Sequence, residues 1–312
     1  MDSIRVLFFG TTDFSASVLS TLVAEGWNVV AVVSQPDRPV GRKHILQAPP
    51  VKQFALEHGI TVLQPDKLSS QVQEVCSYKP DLIVSCAYGQ YIPSSIFSYP
   101  HLGSLNIHPS ALPKYRGGAP IQRAVMNGDH STEVCLMEVA EKMDSGAVFA
   151  RIPYEIDPDI TDGELFEALK APAKQLITEY LPLYVKGELQ GEAQNEADVV
   201  YAPNIAREEE LVLFSKEDGD QLYNHLRGLL EAPMGYGILN GKRVKFARVR
   251  KEQTESKELP GTILGFEQHA MRIAMNRGVL LVYELQMEGK SRMSADAFYN
   301  GAGRQLIGSR FE

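Results

Sequence analysis

Hydrophobic and polar positions fall into two textures along the chain. Through the first half, short β-branched runs at residues 4–9, 28–33, 81–86 and 104–108 are separated by longer amphipathic stretches at 13–25, 50–58 and 68–78. Strand, helix, strand repetition calls for right-handed crossovers onto a parallel sheet. The runs VLFF, VVAVV and LIVSC are apolar on both faces, as strands covered by helices on both sides must be. The pattern predicts an α/β class with a Rossmann-like, mostly parallel core. Two further candidate strands, 132–140 and 147–156, flank the turn EKMDSG, and TDGE at 161–164 offers a cap-like start for a following helix.

Between residues 187 and 207 the chain turns polar and loses its period, as a linker does. Beyond it, a helix is expected near 219–230. Short runs at 237–239, 243–250, 261–266, 271–274 and 279–283 follow, punctuated by glycine. Such runs suggest a small OB-like β-barrel. The expected organisation is a catalytic domain over 1–190, a linker over 191–206 and a barrel domain over 207–312. A chain of 312 residues that is 44% hydrophobic is long enough to bury both.

Three cysteines, Cys76, Cys86 and Cys135, occur without CxxC or Cys/His ligand spacing. Neither a disulfide framework nor a metal site is expected, and a reducing cytoplasm fits. The opening apolar run is cut by Gly10 and Asp13, and no stretch approaches the length of a membrane span. The net charge of -8 argues against coating nucleic acid through bulk charge. That charge is uneven: 15 basic and 24 acidic side chains lie up to residue 203, against 16 and 15 beyond it. Within the second part, KRVKFARVRK sets Lys242, Arg243, Lys245, Arg248, Arg250 and Lys251 along one expected strand. Alternation would send them to both faces. They form either an ordinary solvated strand or a patch that tracks a phosphate backbone.

FFGTTDFS has the first strand and glycine turn of a nucleotide-binding fold but lacks GxGxxG, so Gly10 reads as structural and a dinucleotide is not expected. Neither GxxxxGK[ST] nor GxSxG occurs. The informative stretch is GSLNIHPSALPKYRGGAPIQR at 103–123, where a strand ending in Asn106 and His108 runs into a Pro- and Gly-rich loop. Open α/β sheets place ligands at such strand ends. Period two puts Asn106 and His108 on one face. An amide donor beside an imidazole can bind an oxyanion and shuttle a proton, the two services needed when an amine attacks an acyl carbon. A satisfied hydrogen-bonding pair accounts for the same spacing. Asp144, in EKMDSG, would orient the imidazole if it lay near, and it is equally an ordinary turn former.

The segments VLFFGTTDFSASVL, VVSQPDRPVGR, APPVKQFALEHGI, PDLIVSCAYGQYIP, GSLNIHPSALPKYRGGAPIQR and EKMDSGAVF, in this order, resemble the folate-dependent formyltransferase family. The SQPDRPVGR loop and the C-terminal barrel favour its tRNA-acting branch. The resemblance implies transfer of formyl from 10-formyltetrahydrofolate to the α-amine of methionine on initiator methionyl-tRNA. It implies no metal, DNA or membrane partner, and a monomer. It assigns catalysis to Asn106, His108 and Asp144. Folate binding maps onto Ser110, Ala111, Leu112 and Pro113, and onto Tyr88, Gly89 and Gln90. Contacts to tRNA map onto Arg38, Arg42 and Lys43 in the loop and Lys242, Arg243, Lys245 and Arg248 in the barrel. Locally the chain departs from the pattern: Asn204, with Arg207 beyond it, stands where a lysine is usual, and Phe214 where a tryptophan is common. Rival readings are an N-formyltransferase of nucleotide-linked amino sugars, a formyltetrahydrofolate hydrolase, and an RNA-binding module with a degenerate α/β domain.

Overall fold

The computed structural model describes residues 3–40 and 45–312 and divides into two compact units. The first holds residues up to 117, 132–154 and 166–201, and the second holds 118–131, 155–165 and 202–312. Strands of the first are β1 (Arg5–Gly10), β2 (Asn28–Val33), β3 (Arg38–Val40), β4 (Ile45–Gln47), β5 (Val62–Leu63), β6 (Leu82–Cys86), β7 (Ser104–His108), β8 (Lys114–Arg116), β9 (Ser131–Glu138), β10 (Val148–Glu155) and β11 (Val200–Tyr201). Helices along the chain are α1 (Asp13–Ala24), α2 (Pro50–Glu57), α3 (Val72–Ser77), α4 (Ser94–Phe97), α5 (Pro120–Met126), α6 (Asp162–Ala168), α7 (Lys170–Gln175), α8 (Leu181–Val185), α9 (Gly219–Arg227) and α10 (Ala295–Asn300).

The main sheet runs β10-β9-β7-β6-β1-β2-β5. The pairings from β7 through β6 and β1 to β2 and β5 are parallel, and β9 joins β7 antiparallel. Leu7, Phe9, Ala31, Val33 and Ile83 form a core on one face of this sheet with Tyr88 and Ile96. The expected Rossmann-like core is therefore present. β1 ends on Gly10 because a Cβ there would meet the Ser15 side chain at 2.7 Å and the Cys86 carbonyl oxygen at 3.1 Å. Thr12 then caps α1, its hydroxyl accepting from the Ser15 amide at 3.3 Å. The helix expected over 68–78 is broken: a 3-10 turn at Leu68–Ser70 and α3 are separated by Gln71, at φ -119° and ψ 24°.

The polar stretch read as a linker carries ordered pairing within the first unit. Glu192 exchanges two 2.9 Å backbone hydrogen bonds with Val148, and β11 lies parallel to β8.

In the second unit, Asp218 and Gln221 form a capping box at the start of α9. The strands are β12 (Tyr236–Leu239), β13 (Lys242–Glu252), β14 (Ile263–Glu267), β15 (Ala270–Ala274), β16 (Val279–Met287) and β17 (Met293–Ser294). They pair antiparallel in the order β12-β13-β16-β15-β14, with β17 on β16. The chain's end bridges both edges: Phe311 pairs with Leu239 of β12, and Arg310 with Thr262 beside β14. That closure gives the expected small barrel, since it leaves neither edge strand unpaired. Its core holds a cluster of Phe214, Phe246 and Phe311, all fully buried, so the phenylalanine at the usual tryptophan position serves packing.

Candidate active site

β7 ends where the parallel strands end, and it carries Asn106 and His108 on one face of an unbroken ladder between β6 and β9. Ser85 Oγ donates to Asn106 Oδ1 at 2.7 Å, so the amide protons on Nδ2 are what Asn106 can offer a ligand. His108 is 5% exposed. Its Nε2 lies 3.0 Å from the Tyr115 carbonyl oxygen. A carbonyl only accepts, so Nε2 donates to it and Nδ1 is the ring nitrogen left to face the site. Nδ1 faces Asp144 Oδ2 at 3.8 Å. The structure thus brings His108 and Asp144 together across some 36 residues of sequence, with Asn106 on the same strand face as His108.

Asp144 is held in place by its neighbours. The Gly117 amide donates to Asp144 Oδ2 at 2.9 Å. The turn itself is tight: a Cβ on Gly146 would sit 2.0 Å from the Glu138 carbonyl oxygen, so only glycine fits there. Asp144, Tyr115 and Ala87 adopt φ of 50°, 66° and 42°, a left-handed conformation that costs about 1–2 kcal/mol for a residue with a Cβ. Such strain persists only where the surroundings over-determine it, and it gathers at functional sites.

Of the four residues in the SALP segment, two point inward. Ser110 is fully buried, its hydroxyl donating to the Lys114 carbonyl at 2.7 Å. Leu112 packs with Cys135, Met137 and Val148, and its carbonyl accepts from Arg151 at 2.6 Å. Ala111 and Pro113 remain partly exposed. Tyr88 puts its ring into the core, edge-on to Phe9 at 5.2 Å, while its carbonyl accepts from Thr11 at 2.7 Å. Gln90 is committed to the neighbouring loop: it accepts from the Leu68 amide at 3.1 Å and donates to the Pro65 carbonyl at 3.1 Å.

A cavity of about 510 Å³ opens at the ends of β1, β2 and β6, lined by Thr11, Gln35, Arg38, Ala87, Tyr88 and Gly89 among others. The trio does not line it; the two features occupy the ends of different strands of one sheet. Gln35 and Tyr88 line this cavity, and their buried Nε2 and Oη atoms have no hydrogen-bond partner among the described residues. The cavity lining is largely apolar, as that of small-molecule sites is. Arg38 borders it, with a guanidinium nitrogen 3.5 Å from Gln35 Oε1. Arg42 and Lys43 lie outside the described residues.

The basic strand alters in part the expectation that alternation splits its charges between two faces: Lys251 turns from its neighbours to pair with Asp220, but four of the bases come together. Val244, Phe246 and Val249 are buried, whereas Arg243, Lys245, Arg248 and Arg250 keep exposure. The pairing with β16 shifts between Phe246 and Arg248. Ala247 is the extra residue, and it resets the phase so that these four bases share one face. Arg243 stacks on Tyr236 at 4.3 Å and Arg248 on Tyr283 at 5.1 Å. Lys242 is exposed at the strand's start.

Burial pushes the Cys86 and Cys135 thiols up to about 12, so neither is a nucleophile near neutrality, although Cys135 lies opposite His108 in the ladder. Among the described residues no group of three or more His, Cys, Asp and Glu side chains is arranged to hold a metal, and no helix is long and apolar enough to cross a membrane. The sequence reading passed over Arg116 and Gln194. Arg116 heads the fully buried side chains by size, and its guanidinium bonds to Gln194 and Glu196 at 2.9 Å each. An arginine in YRG could have signalled an inward charge, but nothing in the polar run around Gln194 marks it.

Comparison with known proteins gives the family. The family model described as formyl transferase matches residues 3–181, and that of the formyl transferase C-terminal domain matches 204–303. The chain is 42% identical over 309 residues to a methionyl-tRNA formyltransferase of Halalkalibacterium halodurans, covering 98% of this chain and 97% of that one. It is 41% identical over 301 residues to that of Bacillus subtilis, covering 96% and 95%. Among solved structures, HypX from Aquifex aeolicus in complex with tetrahydrofolic acid superposes with a TM-score of 0.71 at 17% identity, over 97% of this chain and 48% of that one. The methionyl-tRNA formyltransferase from Clostridium thermocellum gives 0.56 at 16% identity, over 79% and 93%. These two show the shared fold, and the near-full-length relatives show the family. The chain belongs to the methionyl-tRNA formyltransferase family.

Proposed function

We infer that the chain moves the formyl group of 10-formyltetrahydrofolate onto the α-amine of methionine on initiator methionyl-tRNA, and that Asn106, His108 and Asp144 carry the chemistry. The observation that supports this best is the His108 ring, fixed through Nε2 on the Tyr115 carbonyl with Nδ1 turned to Asp144. In the step, a bond forms between the amine nitrogen and the formyl carbon, and the bond from that carbon to folate N10 breaks. The proton lost by the amine balances the one N10 gains.

Asn106 donates through Nδ2 to the formyl oxygen as it gains charge, its amide held by Ser85. With Nε2 committed to the Tyr115 carbonyl, Nδ1 is the position at which His108 moves a proton, and the Asp144 carboxylate beside it complements the cationic ring. An α-amine has a pKa of about 8, so the nucleophile needs little activation and positioning supplies much of the rate.

The folate is assigned to the backbone of Ala87, Tyr88 and Gly89 with Gln90 as a loop tie, and to the 110–113 segment through Ala111 and Pro113, with Ser110 and Leu112 shaping it from inside. Arg38, Arg42 and Lys43 are assigned to the acceptor end of the tRNA, and Lys242, Arg243, Lys245 and Arg248 to its phosphates. As stretches of sequence we assign 1–190 to catalysis and 207–312 to the barrel, with 191–206 as a connection that is anchored to the first unit through Glu192 and β11. The macromolecular partner is initiator tRNA, without DNA or membrane, and the place of action the cytoplasm. One copy suffices, because the trio comes from one chain.

The test offers 10-formyltetrahydrofolate labelled in the formyl carbon together with initiator methionyl-tRNA, elongator methionyl-tRNA or a nucleotide-linked amino sugar. Label on the initiator tRNA, with little on the others, is the expected result. Label on the sugar, or release as formate with every acceptor, would overturn the reading.

A further inference from the structure

Arg116 is 1% exposed and has no part in the chemistry assigned above. A buried guanidinium is costly unless fully partnered, and here its partners lead back to the site. Nε donates to Gln194 Oε1 at 2.9 Å. Gln194 then donates both protons of its amide, to the Asp144 carbonyl at 2.9 Å and to the Gly146 carbonyl at 2.8 Å. The residue after Arg116, Gly117, donates to the Asp144 carboxylate. Asp144 is therefore gripped at its side chain from 117 and at its backbone from 194.

Gln194 has a fixed place from which to do this. Glu192 is paired with Val148 and Val200 with Lys114, so the segment is pinned on both sides of it. Glu196, whose carboxyl the Arg116 guanidinium holds below its ordinary range, closes the other side of the arginine at 2.9 Å. The two carbonyls that Gln194 clasps flank Ser145, in a turn whose Asp144 sits at φ 50°. Left-handed backbone at a residue with a Cβ relaxes unless its surroundings hold it.

We propose that Gln194, oriented by Arg116, is a positioning residue for the formyl transfer: it clamps the Asp144 turn so that the carboxylate faces His108 Nδ1. This rests on the role given to Asp144 above. A misplacement of about 1 Å in such a constellation can cost as much as a hundredfold in rate.

The test is a double-mutant cycle on formyl transfer, using Gln194→Glu, Asp144→Asn and the pair in the full-length chain. Gln194→Glu keeps the acceptor for Arg116 and removes both donors to the turn. It should lower kcat about tenfold or more, leave KM for the folate and the tRNA within about twofold, and have no further effect in the Asp144→Asn background. Additive losses, an unchanged kcat, or a rise in KM with kcat intact would each overturn the clamp. If Gln194→Glu fails to melt cooperatively, Gln194→Asn replaces it; failure of both makes Gln194 a stability residue and overturns the positioning role. Near-normal kcat in Asp144→Asn alone would instead remove Asp144 from the mechanism, and the clamp with it.

Discussion

β7 and β13 both carry their functional candidates at intervals along a strand, and the same period-two rule gives a different result in each. The β7 ladder to β6 and β9 is unbroken, so Asn106 and His108 share a face as their spacing says. In β13 the register shifts around Ala247. A matching irregularity near Tyr283 of β16 keeps Val282 and Leu285 buried together. Arg243, Lys245, Arg248 and Arg250, which strict alternation would have divided, end on one side. Period two describes a strand only between bulges.

The two strands also differ in how their polar groups are surrounded. On β7 the groups are buried or half-buried and hydrogen-bonded by name: Ser85 to Asn106, Tyr115 to His108. Preorganised groups of this kind stabilise charge in a low-dielectric site, where each is worth orders of magnitude in rate. On β13, Arg243 and Arg248 keep exposure and rest on aromatic rings. Exposed charges act additively and are screened by salt.

That contrast breaks if the largest expected effect is missing. Asn106→Ala should reduce kcat by roughly 10² to 10³, as loss of an oxyanion donor does, with KM for the folate little changed in steady-state kinetics. A loss confined to KM would make Asn106 a binding group. On β13, Arg248→Ala should raise the tRNA KM several-fold at physiological salt and reduce the salt slope by about one. Lys242→Ala, at the strand's start before the shared face, should do less; equal effects would mean that the bulge does not organise the interface.

The smallest effect concerns stability, and it turns on a buried carboxyl in the second unit. Burial is the main cause that pushes the Asp162 carboxyl up from 3.8 to about 6, although it accepts from the Leu230 amide. The folded state therefore holds the proton more tightly than the unfolded chain. This contribution to stability is complete below about pH 4 and is lost as pH rises through 6. Asp162→Asn should be no more stable than the parent near pH 4 and gain on it up to pH 6, by at most about 3 kcal/mol. Denaturant melts across that window would read the gain; a constant difference between the two proteins would contradict the shift. Glu209 is the counterexample with the opposite sign, held down to about 2 chiefly by Arg123.

Much of this was legible from the sequence wherever a segment is long enough to show its period. Ser104–His108 and Asn28–Val33 have the expected bounds, and Thr161 and Glu164 form the predicted capping box, each accepting from the other's amide. What was missed lacks a local signal. β8 and β11 are three and two residues long, too short for alternation, and the β3–β4 hairpin lies in a Pro-rich loop. The interruption at Gln71 follows Ser70, whose hydroxyl bonds the Lys67 carbonyl and so competes with the helix. Asn106 and His108 were visible because two residues apart on a strand is a geometric statement. Their link to Asp144 depended on resemblance, and the grip of Gln194 on that turn joins residues 50 and 48 positions apart, which no spacing rule reaches.

The central claim is that the imidazole at the end of β7 moves the proton that formyl transfer requires. The most direct measurement is the single-turnover rate of labelled formyl transfer to initiator methionyl-tRNA by His108→Ala and by the parent protein, with both substrates saturating and folate affinity measured alongside. A fall of at least about a hundredfold, with affinity held within about twofold, is what the account predicts. A rate within a few-fold of the parent would contradict it.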